Sequence, residues 1–350
     1  MKIAIDISPL ASGSGHKIRG VGFYLENLKD SLQKYFPHNQ YIFFSSPKES
    51  PADVDVTHYP YFDPFFFTLP LFRKSKIAVT VHDLTPIIFP DHFPAGLKGK
   101  FKWQIQKNIL KNVDVIITVS HASKKDIVKI IGIPDKKVHV VYLAASENFK
   151  KMQLTNDENA ELVKKYHLPE NFALYVGDVT WNKNLPALVN AMKMTSVPLV
   201  MVGKSLVSTT FDTSNPWNND LIEIQRLIKD NSQFVPLGFV PTEDLVKIYN
   251  SASVFVMPSI YEGFGLPILE AMSCGCPVIT TKEGSIPEVA GEAAYYVNAF
   301  SIEDIAQGIQ TVTRSKKLRE KLSKKGLSQA KNFSWEKTAI NTLNTYETKD

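Results

Sequence analysis

Arginine is scarce in this chain: Arg19, Arg73, Arg226, Arg314 and Arg319 are the whole set, and lysine supplies nearly all the remaining positive charge. Nucleic-acid readers lean on arginine forks that match phosphate and guanine edges. A formal charge of +5 over 350 residues therefore does not point to a nucleic-acid partner. Cysteine is scarcer still. Cys274 and Cys276 stand one glycine apart, a spacing that disfavours a mutual disulfide, and with no nearby histidine they make a poor metal site. They read as small packing residues in a reducing cytoplasm. No run approaches the roughly eighteen apolar residues of a membrane span. Residues 1–10 lack the apolar core and cleavage site of a signal peptide and read as a first buried strand. The expected location is cytoplasmic, with the inner face of the plasma membrane as a further option.

What is present is an ordinary globular composition, 44% hydrophobic and 21% charged, long enough for two cores. Apolar strand-like runs alternate with amphipathic helical ones, the pattern of a parallel sheet covered on both faces. In the first half, strands are predicted at residues 2–7, 40–45, 54–58, 76–81, 113–119 and 138–141, and helices at 24–35, 97–112 and 120–131, the last capped by Ser120. Residues 150–159 turn polar and irregular. The pattern then restarts, with strands at 172–176, 198–202, 234–236, 254–257 and 277–280 and helices between them. This predicts an α/β chain of two Rossmann-like doubly wound domains facing across a cleft. The expected divisions are residues 1–165, 166–333 and a C-terminal helix, 334–350, crossing back to the first domain.

The densest information lies in Ser259-Ile-Tyr-Glu262-Gly-Phe-Gly-Leu-Pro-Ile-Leu-Glu270 and its continuation to Thr280. Pro267 suits the start of a helix, where a missing N–H costs nothing. The turn before it, Gly263, Phe264, Gly265 and Leu266, can aim amides and the positive helix end at an anion. Glu262 precedes that anion site and Glu270 lies about a helical turn beyond it. A molecule spanning them has a polar head, a phosphate centre and a hydroxyl-bearing tail, as a sugar nucleotide does.

This run, extended to Val289, resembles the donor site of the family-4 retaining glycosyltransferases (glycosyl transferases group 1), and the likeness covers nearly the whole chain. The resemblance implies a GT-B fold, with Glu262 beside the donor sugar and Glu270 on the nucleotide ribose. In Gly177-Asp-Val-Thr-Trp-Asn-Lys183 the family usually has Pro-Arg-Lys-Asn. Lys183 keeps the lysine that binds donor phosphate, whereas Trp181 and Asn182 replace proline and arginine, and Asp178 stands where some members have a phosphate-binding arginine. His82, at the end of a strand and followed by Asp83, matches a histidine close to the reacting sugar. Arg19, Gly20 and Gly22 occupy the place of a glycine loop that lies beneath the donor sugar and helps receive the acceptor. Phe239 and Val240 fall in a segment whose backbone borders the base. His121 stands where relatives often have glutamate, and no role is assigned to it.

Three motifs are decoys. Val202-Gly203-Lys204-Ser205 mimics the end of a phosphate-binding loop, but Pro198 occupies the place of its first glycine. Asp53-Val-Asp55 resembles a metal-binding pair from another transferase fold but precedes a strand, so no metal is expected. Phe65-Phe66-Phe67 reads as core or substrate wall, although an exposed aromatic loop beside Arg73, Lys74 and Lys76 could touch a lipid surface.

The expected function is retaining transfer of a hexose, mannose favoured because the first half looks like bacterial mannosyltransferases, to a glycan or lipid-linked saccharide. Catalytic roles fall to Glu262, His82 and Lys183. The co-substrate is a nucleoside diphosphate sugar, GDP-mannose or a UDP-hexose, with no other cofactor. A UDP-sugar epimerase of the same architecture would need acid and base groups that are not evident. A non-catalytic sugar-nucleotide sensor is the third reading, raised by Asn182 and Asp178.

Overall fold

The structure, a computed structural model, describes residues 1–11, 20–46, 49, 51–72 and 74–348. These form two units, Met1–Ala144 with Phe333–Asp350, and Ala145–Asn332.

The first unit runs β1 (Lys2–Asp6), α1 (Gly20–Tyr35), β2 (Gln40–Phe44), β3 (Val56–Tyr59), β4 (Lys76–Thr80), α2 (Thr85–Ile88), α3 (Gly96–Lys111), β5 (Val115–Thr118), α4 (His121–Ile127) and β6 (Val138–Val140). Its strands pair in parallel in the order β2-β1-β3-β4-β5-β6. β3 and β5 are buried throughout, as expected of strands covered on both faces. Helix α1 turns Tyr24, Leu25, Leu28 and Leu32 inward at helical spacing. Burying a side chain of this size contributes about 1.5–3 kcal/mol. Ser120 caps α4 by accepting from the Ser123 amide, and the helix continues as a π turn over Val128–Gly132.

The second unit runs α5 (Asn156–Tyr166), β7 (Ala173–Val176), α6 (Leu185–Lys193), β8 (Leu199–Val202), α7 (Asn219–Ile228), β9 (Phe234–Leu237), α8 (Thr242–Ser251), β10 (Val254–Met257), α9 (Leu266–Ser273), β11 (Val278–Thr280), α10 (Ile286–Ala290), β12 (Ala294–Tyr296), α11 (Ile302–Arg314) and α12 (Lys316–Ala330). The sheet is again parallel, ordered β12-β11-β10-β7-β8-β9. Chain order reverses between β7 and β10, and between β1 and β3 in the first sheet. Ligands of such sheets bind beyond the carboxyl ends of the strands at that reversal.

The division between units falls after Ala144, about twenty residues before the expected 165/166 boundary. Side chains explain it. Asn250 of α8 accepts from the Met152 amide (2.8 Å) and donates to the Lys150 carbonyl (3.0 Å). Asp244 accepts from Lys165 (2.8 Å) and Tyr166 (2.6 Å). Residues 150–166 are thereby tied to α8. The final helix, α13 (Trp335–Glu347), belongs to the first unit. Thr338 Oγ1 donates to the Tyr142 carbonyl (2.7 Å), and Trp335 meets Phe23 edge-on. Among the described residues no helix is long and apolar enough to cross a membrane.

Candidate functional site

In the second unit, the turn after β7 and the loop after β10 meet at the sheet's reversal. Asn182 is buried and stitches them together. Its Nδ2 donates to the Tyr261 carbonyl (2.9 Å), and its own carbonyl accepts from the Ile260 amide (2.8 Å). Thr180 Oγ1 donates to Asn182 Oδ1 (2.8 Å) and fixes the amide's orientation. Asn184 follows in the left-handed conformation, φ 57°, which asparagine tolerates better than most residues. From there its Nδ2 donates to the carbonyls of Pro258 (3.1 Å) and Ala299 (2.7 Å). Asn182 looks in sequence like a lost phosphate ligand; here it positions the two loops.

That stitching brings Lys183 onto Glu262. Lys183 Nζ lies 2.7 and 2.8 Å from the two carboxylate oxygens, and Ser259 Oγ donates to Oε1 at 2.7 Å. The glutamate side chain is 8% exposed and the lysine side chain 20%, so the pair is shielded yet open on the lysine side. Behind it, Ser285 Oγ lies 2.9 Å from the carbonyls of both Glu262 and Phe264, and Thr281 Oγ1 donates to the Ser259 carbonyl (2.7 Å). Gly284, at φ +57°, lets this backing loop come close. A Cβ there would sit 2.8 Å from the Glu262 carbonyl oxygen. Ser259 stands three positions before the candidate glutamate in sequence, whereas nothing local marks Ser285 as its support.

Helix α9 begins at Leu266, one residue ahead of the predicted start, with Pro267 in its first turn. Its cap, Gly265, has φ +101°, a conformation glycine alone adopts without strain. Gly263 and Phe264 are buried in the same loop. The first turn of a helix leaves amides without intrahelical acceptors and carries partial positive charge. One turn on, Glu270 Oε2 accepts from Tyr249 Oη at 3.0 Å. Part of its side chain reaches the surface, but the carboxyl is enclosed closely enough that desolvation pushes it up to about 7, with the Tyr249 hydrogen bond opposing. Phe239 and Val240 follow β9, two strands from β7 at the same end of the sheet. Phe239 is 66% exposed and Val240 buried.

The first unit carries the other candidates. His82 lies just past β4, its ring edge-on to Tyr24 at 4.8 Å. Its Nε2 is 3.3 Å from the Pro60 carbonyl, which only accepts, so Nε2 carries the proton and Nδ1 is left as acceptor. Desolvation lowers its proton affinity, against the opposing charge of Asp83 and the Pro60 bond. Asp83 itself starts the next turn by accepting from the Thr85 amide (2.9 Å). Beneath lies a buried relay: Tyr24 Oη to Thr80 Oγ1 (3.1 Å), Thr80 to His58 Nε2 (2.8 Å), and His58 Nδ1 to Tyr346 Oη (2.7 Å). Gly20 and Gly22 open α1, the first exposed and the second buried. Arg19, with Gly13 and Gly15 of the same loop, lies outside the described residues, as does Arg73.

The decoys have structural explanations. Gly203 admits the close approach of two strand ends, since a Cβ there would lie 2.3 Å from the Gly177 carbonyl oxygen. Asp53 pairs with Lys2 Nζ (2.7 Å), and Asp55 accepts from the Lys2 amide (2.7 Å). Cys274 and Cys276 are buried, and desolvation pushes the Cys274 thiol up to about 12. His121 is the exposed first residue of α4.

Two parallel doubly wound units with this loop arrangement at the second switch point define the GT-B class of glycosyltransferases. Residues 156–329 match the model for glycosyl transferases group 1, and residues 18–146 that for Glycosyltransferase Family 4. O-antigen chain mannosyltransferase B of Escherichia coli is 32% identical over 300 residues, covering 84% of this chain and 75% of that protein. The serotype-specific mannosyltransferase WbdA of Escherichia coli is 26% identical over 75% of this chain, which spans 32% of that longer protein. Among solved structures, Anabaena HepE in complex with UDP-glucose superposes with a TM-score of 0.73 at 16% identity, over 99% of each chain. The chain belongs to the family-4 glycosyltransferases (glycosyl transferases group 1), and it is a glycosyltransferase.

Proposed function

We propose that this enzyme is a retaining hexosyltransferase moving mannose from GDP-mannose to a glycan or lipid-linked saccharide, with a UDP-hexose as the competing donor. The observation that carries the reading is the shielded Lys183–Glu262 pair at the β7/β10 reversal, directly before the start of α9. Mannosyl transfer is favoured by the O-antigen relative, and the UDP-hexose alternative by the ligand of HepE. Transfer takes precedence over the epimerase and sensor readings because the chain belongs to a glycosyltransferase family.

In this reading the donor diphosphate lies at the α9 start, where Lys183 turns from Glu262 toward it and offsets its charge. Glu262, steadied by Ser259, accepts from hydroxyls of the sugar, and Glu270 accepts from the ribose. The bond between the anomeric carbon and the phosphate oxygen breaks, its electron pair leaving with the diphosphate. The acceptor oxygen attacks the anomeric carbon from the same face, and its proton passes to the departing phosphate oxygen. Preorganised donors around that phosphate lower the barrier because the negative charge grows there. In the first unit, the neutral imidazole of His82 presents Nδ1 as an acceptor for a hydroxyl. No metal enters the scheme.

A thermal-shift screen of GDP-, UDP-, ADP- and dTDP-sugars identifies the donor, since binding to the native state raises its stability. Radiolabelled transfer to a mannose-containing acceptor then tests the chemistry. The expected result is a rise with GDP-mannose followed by labelled product. No rise with any sugar nucleotide, or sugar epimer released without acceptor, refutes the reading.

A further inference from the structure

The first unit carries a feature that neither donor nor acceptor chemistry uses. Six large apolar side chains stand in water along one stretch of surface: Phe66 (63% exposed), Phe67 (57%), Leu71 (70%), Phe72 (84%), Leu97 (87%) and Phe101 (67%). Single exposed apolar residues are ordinary, but a contiguous group of them marks a contact surface. These are held together locally. Gln106 of α3 is buried and donates from Nε2 to the Asp63 carbonyl (2.9 Å) and Thr68 Oγ1 (3.0 Å), and also to the Phe66 carbonyl, fastening the aromatic loop to the helix. Lys102 Nζ sits 4.9 Å from the Phe66 ring centroid and 5.8 Å from that of Phe67. Between loop and helix opens a cavity of about 530 Å³, its walls including Phe67, Leu71, Phe72, Lys74 and Ile105.

The charge on this surface is one-sided. Helix α3, GLKGKFKWQIQKNILK, has five lysines and no acid, and Leu97 and Phe101 share a face flanked by Lys98 and Lys102. Of the nearby carboxylates, Asp63 is turned inward, accepting from the Phe65 amide (2.7 Å) and Tyr61 Oη (3.0 Å). Asp91 is exposed but precedes the helix. A second copy of the chain seated here by twofold symmetry would press lysine against lysine. Exposed aromatic and aliphatic side chains interleaved with lysine instead match an anionic lipid surface, where apolar groups enter the acyl boundary and ammonium groups meet phosphate.

We propose that this face of the first unit docks onto an anionic phospholipid bilayer. Phe67, Leu71, Phe72, Leu97 and Phe101 enter the interface, Lys74, Lys98 and Lys102 meet the headgroups, and the cavity takes in part of an acyl chain. The proposal rests on this surface alone and holds whichever sugar is transferred.

The test is flotation of the purified full chain, without donor or acceptor, on phosphatidylcholine vesicles with and without phosphatidylglycerol. The wild type floats with the anionic vesicles, and raised salt weakens that binding. Leu71→Ser with Phe72→Ser, and separately Lys98→Glu with Lys102→Glu, weaken it by at least roughly tenfold each, with unchanged melting because these side chains are largely outside the core. If the loop variant melts early, Leu97→Ser with Phe101→Ser on the helix decides instead. Equal flotation on neutral and anionic vesicles, no flotation, or wild-type flotation of the variants overturns the proposal. So does a dimer in sedimentation that the loop variant converts to monomer, which would assign the face to self-association. Loss of flotation with sugar-nucleotide binding intact leaves the transferase reading standing, so the two fail separately.

Discussion

Replacing Glu270 by glutamine should stabilise this protein at neutral and higher pH while damaging donor binding. The carboxyl is raised from an ordinary 4.5 to about 7, first by desolvation. An acid whose proton is held more tightly in the native state makes the unfolded chain the first to ionise as pH rises. Stability therefore declines between about 4.5 and 7 and stays low above that window. The gap corresponds to about 3 kcal/mol, and about 2 kcal/mol once the residual exposure of the side chain is counted. Glutamine keeps an oxygen for the Tyr249 hydroxyl and never ionises. Urea unfolding at a series of pH values provides the assay. The variant and wild type should match near pH 4.5, and the variant should be more stable by about 2–3 kcal/mol at pH 8. Nucleotide-sugar affinity should fall relative to wild type above about pH 7, where the native carboxyl is ionised, since a neutral amide is a weaker acceptor for ribose hydroxyls. A variant no more stable than wild type at pH 8 would refute the desolvation argument.

Lys183→Ala should lower transfer more than tenfold and also lower the melting temperature, because it leaves the Glu262 carboxylate shielded and unpaired. Glu262→Ala alone should cut transfer as deeply, and adding it to Lys183→Ala should restore part of the stability; scanning calorimetry and radiolabel transfer distinguish the two effects, and wild-type turnover in either single variant would remove the proposed site. Gly284→Ala should cost about 1–3 kcal/mol and reduce kcat, since its Cβ would meet the Glu262 backbone at a left-handed φ. Chelator should leave the transfer rate unchanged, and a strict divalent-metal requirement would contradict the proposed scheme.

The doubly wound plan is legible because strand and helix periods alternate cleanly through both halves. β10 falls on its predicted bounds. Helix α5 is not legible: Leu162 is its single buried residue, so its periodicity is faint, and only the Thr155–Glu158 capping box announces it. β12 is short and half-exposed and carries little strand signature. At the candidate site, Lys183 and Glu262 each stand out by their surroundings in sequence. Their pairing across 79 positions does not, and neither does the stitching by Asn182 or the backing by Ser285. Side-chain bonds to distant backbone carbonyls leave no periodic trace, which is why Asn182 reads as a missing arginine until the loop it holds is seen.

The first unit's inclusion of α13 makes its completion depend on residues made long after its sheet. The second unit is one uninterrupted stretch, whereas the first is completed only by a helix that follows the whole of the second. Until Tyr346 arrives, His58 lacks the hydroxyl that completes its hydrogen bonding at the sheet's interior. The earlier-made half of this enzyme therefore stays incomplete until residues 335–347 are made, and nascent chains stalled before residue 333 should engage chaperones through that half.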